Sequence, residues 1–201
     1  MWEGLLNLLK FLLAILLILV VLAASRSFFR ELTTLQNAHD VLFIGGAAYL
    51  IGHLFVVVPM GFYQFGQKVL TDIFRFSAPL SSILSYTLPF WTLLTLIVFY
   101  IVVNVFNLRR FEDYFLFAIG FLSVMHIVLT AQELHGKDMA GIKPHYFFVM
   151  SLVYVANLLI VAVFLDLIFD QFSFFAFCKS SFLMAKDSYS DLWHRVSVHH
   201  W

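Results

Sequence analysis

The sequence predicts an all-α integral membrane protein: about five transmembrane helices, a short amphipathic helix over residues 62–76, and an interfacial C-terminal segment. Three observations lead there. Hydrophobic residues make up 62% of the chain and charged residues 12%, against roughly 25% charged in a soluble domain. Five apolar runs come near the ~20 residues that a helix needs to cross about 30 Å of hydrocarbon. Between the second and third of them lies FYQFGQKVLTDIFRF, too short and too polar to cross but helical in its periodicity.

The first run covers residues 5–24, LLNLLKFLLAILLILVVLAA. It is longer than the roughly 7–15 apolar residues of a signal-peptide core, contains Lys10 and follows Glu3, and so reads as a retained anchor. The second, VLFIGGAAYLIGHLFVVV over 41–58, ends at Pro59. Its Gly45, Gly46, Ala47 and Ala48 form a small-residue face that another helix can approach closely. The third run is YTLPFWTLLTLIVFYIVVNVF, residues 86–106, the fourth covers about 111–132 and the fifth about 145–169. Loops are short and no repeat occurs. Residues 1–201 therefore read as one helical membrane domain: the 5–24 anchor, a core over 41–170, and an interface-lying helix or docking tail over 171–201. In that tail, aromatic residues mix with Lys179, Lys186 and Arg195. Trp193 and Trp201 suit the headgroup level.

Lys plus Arg and Asp plus Glu number 12 each. Nothing in that balance suggests a nucleic acid, and the expected partners are lipid and other membrane proteins. The one cysteine, Cys178, excludes an internal disulfide and a Cys-based zinc site. Of the basic residues near span ends, one side holds Arg26, Arg30, Arg109, Arg110, Lys179, Lys186 and Arg195. The other holds Lys68, Arg75, Lys137 and Lys143. That asymmetry puts the N-terminus outside and the C-terminus in the cytoplasm, with a bacterial inner membrane as the expected location.

On a helix through 62–76, Gln64, Gln67, Lys68, Thr71, Asp72 and Arg75 follow the i, i+3, i+4, i+7, i+8, i+11 spacing of one face. Phe62, Phe65, Val69, Leu70, Ile73, Phe74 and Phe76 take the other. Such a helix lies at the interface or lines a wet groove, and Asp72 stands four residues after Lys68, the spacing of an ion pair. Polar groups within the spans are costly in hydrocarbon; they are His53, Asn104, His126, Asn157 and Asp166. His53 and His126 occupy comparable depths of spans running the same way, which suits either hydrogen bonds between helices or a bis-histidine haem. Asn157 suits an interhelical amide bond. Asp166 and Asp170 read as a solvated face, and residues 132–145, with Glu133, Asp138 and His145 among them, as a solvated loop or binding patch.

The succession FIGGAAYLIGHLFVVVP, FYQFGQKVLTD, SYTLPFWTLLTLIVFY, GFLSVMHIVLTAQEL and SLVYVANLLIVAVFL, over about residues 41–170, resembles the membrane-embedded zinc metallopeptidases of the site-2 protease type. In that family a helix after the proline-ended span carries Gly-His-Glu-x-x-His. The two His bind Zn²⁺ and the Glu takes the proton from the metal-bound water. Laid from Gly66, the resemblance puts the first ligand on Gln67, the base on Lys68 and the second ligand on Thr71, with Asp138 as the acidic residue completing the metal shell. Gln and Thr are poor zinc ligands, and Lys would repel a dication. The connection SAPLSSILS, residues 77–85, also lacks the family's longer polar insert. The resemblance therefore implies a pseudoenzyme with no catalytic residue, metal or cofactor. Its polar face, Gln64, Lys68, Asp72 and Arg75, is left for a partner or lipid headgroups. Three functions stand as expectations: a non-catalytic scaffold or accessory subunit of a membrane protein complex, a lipid-binding or transport component using the former peptidase groove, and a haem-binding redox subunit through His53 and His126.

Overall fold

The computed structural model describes residues 2–35, 38–55, 60–137 and 144–198. They form eight α-helices and two short 3₁₀ turns, with no strand among the described residues. The helices are α1 Trp2–Leu32, α2 Ala38–Phe55, α3 Met60–Ile73, α4 Ala78–Thr87, α5 Phe90–Asn104, α6 Glu112–Lys137, α7 Pro144–Ile168 and α8 Phe174–Val198. Four are long and apolar enough to cross a membrane, over Phe11–Leu32, Ala38–Phe55, Arg109–His135 and Tyr146–Ile168. The chain is thus an all-α integral membrane protein.

The third apolar run divides differently from its sequence reading. Pro89 forces Leu88 into extended backbone (φ −89°, ψ 122°), because a proline ring crowds the helical conformation of the residue before it. Tyr86 and Thr87 therefore close α4, and α5 keeps 15 residues, about 22 Å at 1.5 Å per residue, short of a full ~30 Å crossing. Residues 77–85, expected as a connection, are mostly helix, with proline in the first turn of α4, where its missing N–H costs nothing.

Pairing follows the small residues. Gly45 lies against the Phe117 backbone, Gly46 against Gly120 and Val124, and Tyr49 packs edge-on to Phe121 with centroids 5.2 Å apart. Successive turns of α2 meet successive turns of α6, so the two run parallel, and Gly45 and Gly46 of the small-residue face are covered by α6 while Ala47 stays exposed. A Cβ at Gly45 would collide with the Phe117 carbonyl oxygen, and one at Gly120 with that of Leu42. Helix α7 packs beside α1, with Ser25 Oγ 2.9 Å from Tyr154 Oη. The main core joins these helices at one end, where Phe28, Leu32, Leu116, Ile119, Phe164 and Phe177 are buried together.

The C-terminal tail forms α8, laid antiparallel along α1. Ser27 Oγ donates to the Phe177 carbonyl at 3.2 Å, and further on Tyr189 Oη donates to the Leu16 carbonyl. Its start is capped twice: Ser173 Oγ accepts the Ala176 N–H at 3.3 Å and Asp166 Oδ1 accepts the Phe174 N–H at 3.0 Å. Asp166 is exposed, as expected of a solvated face, and it also serves as a helix cap, because the first N–H groups of α8 lack intrahelical acceptors. Trp193 is exposed; Trp201 lies outside the described residues.

Candidate functional site

Helices α3, α4 and α6 converge on a buried polar cluster at the end of the bundle opposite the main core. The anchor of α3 is Gly66: a Cβ there would stand 2.9 Å from Phe90 Cδ1 and 3.1 Å from Trp91 Nε1. Trp91 stacks on Phe62 with centroids 3.8 Å apart and planes 9° from parallel. It also donates Nε1–H to the Phe62 carbonyl at 3.1 Å. Tyr63, Gly66 and Leu70 form the buried stripe of α3.

Inside, Gln67 Nε2 donates to Tyr63 Oη, which shares a 2.6 Å hydrogen bond with Thr130 Oγ1 of α6. One turn either side of Thr130, His126 Nε2 lies 3.0 Å from the Tyr86 carbonyl and Glu133 Oε1 accepts from Tyr86 Oη at 3.1 Å. A carbonyl only accepts, so His126 carries its proton on Nε2. Burial pushes the Tyr63 phenol well above its ordinary range, outweighing the hydrogen bonds from Thr130 and Gln67. It stays neutral and serves as a fixed donor and acceptor.

Outside, the same helix presents Gln64, Lys68, Thr71 and Asp72, with Arg75 in the turn that follows, all exposed. Thr71 Oγ1 donates to the Gln67 carbonyl at 2.9 Å. Lys68 and Asp72 do not form the expected ion pair; among the described residues the pairs are Arg30–Glu31 and His39–Asp40. Two long exposed side chains gain little from pairing in water and lose rotamer freedom by it. The expected polar face is therefore split: Gln67 turns inward to Tyr63, and the rest faces out beside exposed Phe62, Phe65, Ile73 and Phe76. A helix with one side on the bundle and the other both apolar and charged suits the membrane surface.

The two intramembrane histidines have separate partners. His53 Nδ1 is 3.2 Å from Tyr49 Oη on its own helix and stacks on that ring, while His126 bridges α6 to α4. Asn157 does not make the expected bond between helices: its Nδ2 donates to the Val153 carbonyl one turn back at 2.8 Å. The stretch from 132 starts as helix rather than loop, since α6 continues to Lys137 and carries Glu133 into the cluster. Asp138 and Lys143 lie outside the described residues, as do the side chains of Asn104 and His145. Among the described residues, no three His, Cys, Asp or Glu side chains gather closely enough to hold a metal ion.

Sequence reasoning missed Tyr63, Tyr86 and Thr130, and placed Glu133 in a loop rather than on α6. Part of the signal was present: His126, Thr130 and Glu133 recur at i, i+4, i+7, one face of a helix, and Tyr63 stands one turn before Gln67. Ending the fourth span at 132 cut that stripe. No protein-family model matches this chain, and neither a curated protein nor a solved structure does.

Proposed function

We propose that the chain is a non-catalytic polytopic membrane protein, a scaffold or accessory subunit of a membrane protein complex, that docks its partner on the exposed face of α3. One observation carries the reading. The three positions on which the resemblance to site-2-type peptidases places ligands and base do structural or outward-facing work: Gln67 is bonded to Tyr63, Thr71 to its own helical turn, and Lys68 faces out unpaired. What remains is a rigidly seated surface with two free cations, Lys68 and Arg75, whose use is recognition of an acidic partner, salt-sensitive because both are exposed.

A photoreactive amino acid at Gln64 tests this in native membranes, with Ile97, exposed on apolar α5, as the control. Gln64 should crosslink to one discrete membrane protein, less as ionic strength rises, while Ile97 captures lipid. Lipid adducts alone from both positions would overturn the proposal. The redox alternative is checked by a visible spectrum of the purified protein, in which no Soret band is expected.

A further inference from the structure

Helices α1, α2, α6 and α7 border a cavity of about 390 Å³, within the size range of small-molecule pockets. Small residues open it: Gly46, Ala47 and Gly120 line one wall, so α2 and α6 meet without bulk. Among the described residues no charged side chain lines it, and two of its polar residues are Ser123 and Asn157. They are 8% and 2% exposed, and among the described residues neither Ser123 Oγ nor Asn157 Oδ1 has a hydrogen-bond partner.

Thr87 and Thr92 also leave buried hydroxyls unbonded, but of these groups only Ser123 and Asn157 line the cavity. Ser25, Thr95, Ser181 and Ser188 each return the hydroxyl to the carbonyl four residues back, the usual solution for a helical hydroxyl. Ser123 does not. Asn157 satisfies its N–H on Val153 and leaves an oxygen that can only accept. Buried polar groups are almost always bonded, and in hydrocarbon water is not freely at hand to complete them.

We infer that this cavity binds a neutral membrane lipid bearing a free hydroxyl, a lipid alcohol of the diacylglycerol kind. A hydroxyl supplies the two functions missing here, a donor for Asn157 Oδ1 and an acceptor for the Ser123 hydroxyl. The apolar walls take its chains. A phosphate or carboxylate headgroup would find no counter-charge and would stand desolvated at high cost. The inference rests on α6 and α7 and is independent of what α3 docks.

The test uses the full chain in phosphatidylcholine nanodiscs with a diazirine-bearing diacylglycerol and the same probe with its hydroxyl methylated. The free-hydroxyl probe should label peptides of α2, α6 and α7 saturably, and the methyl ether roughly fivefold less, about one hydrogen bond's worth. Asn157→Leu should abolish the preference between the probes. Ser123→Ala, a milder change that keeps the fold if Asn157→Leu does not, should reduce it. Equal labelling by both probes in wild type, stronger labelling by a diazirine fatty acid, or no labelling above background, as for a cavity filled by water, each overturns the inference.

Discussion

Replacing Gly45 by alanine adds one methyl group where the obstacle is backbone. Its Cβ would collide with the Phe117 carbonyl oxygen, and no rotamer change can move a carbonyl, so α2 and α6 must separate. A gap of 0.5–1 Å already forfeits a quarter to a half of each contact's dispersion energy, and overpacking of this kind costs about 1–3 kcal/mol. Alanine is also the better helix former by up to about 1 kcal/mol, which masks part of the loss. Gly52, on the same helix with nothing within 4 Å of its would-be Cβ, removes that ambiguity. Gly52→Ala carries the propensity gain without the clash, so the difference between the two variants isolates the clash at about 1–3 kcal/mol. Gly120→Ala, which strikes the Leu42 carbonyl, should behave like Gly45→Ala. The double variant should cost less than the sum, since one separation relieves both. Equilibrium unfolding in mixed dodecyl maltoside and SDS micelles, followed by far-UV circular dichroism, gives the numbers. Gly45→Ala as stable as Gly52→Ala, or strict additivity with Gly120→Ala, would refute the close parallel packing of α2 on α6.

Three further outcomes are expected. Tyr63→Phe removes the partner of both Gln67 and Thr130 and should destabilise by about 1–3 kcal/mol, seen as faster proteolysis around α3; Thr130→Val added to it should cost little more. Asp166→Ala and Ser173→Ala each strip an acceptor from the first turn of α8 and should lose about 0.5–2 kcal/mol, with faster amide exchange at residues 174–177 as the check. Because burial raises the Tyr63 phenol above its ordinary 10.0, the folded state keeps a proton that the unfolded state releases. Stability is whole below pH 10.0 and falls above it, as linkage requires, and Tyr63→Phe should flatten that fall.

The membrane class and the amphipathic helix were legible because lipid imposes them: long apolar runs and a 3.6-residue polar period survive in one dimension. The division of residues 77–106 into α4 and α5 was legible in principle, through Pro89, but an apolar window does not register a break in backbone geometry. Ser173 likewise spells a helix start that the low hydropathy of the tail concealed. Other features have no linear signature. Tyr63 joins Thr130 across 67 residues, and only the packed helices show that Asn157 and Ser123 line one cavity. The unpaired state of Lys68 is of the same kind, since i, i+4 spacing permits an ion pair without requiring it.

Whether α3 docks a partner is answered most directly by native mass spectrometry of wild type and the Lys68→Glu, Arg75→Glu double variant, both extracted under mild conditions from their native membrane. Reversing two exposed charges at an interface should weaken association roughly ten- to thirtyfold, at 1.4 kcal/mol per tenfold. Wild type should fly as the 23.2 kDa chain bound to a second polypeptide in fixed ratio, released as salt is raised, and the double variant should fly without it at unchanged helix content. The contradicting result is the same complex in both proteins at every ionic strength, or the bare chain in both.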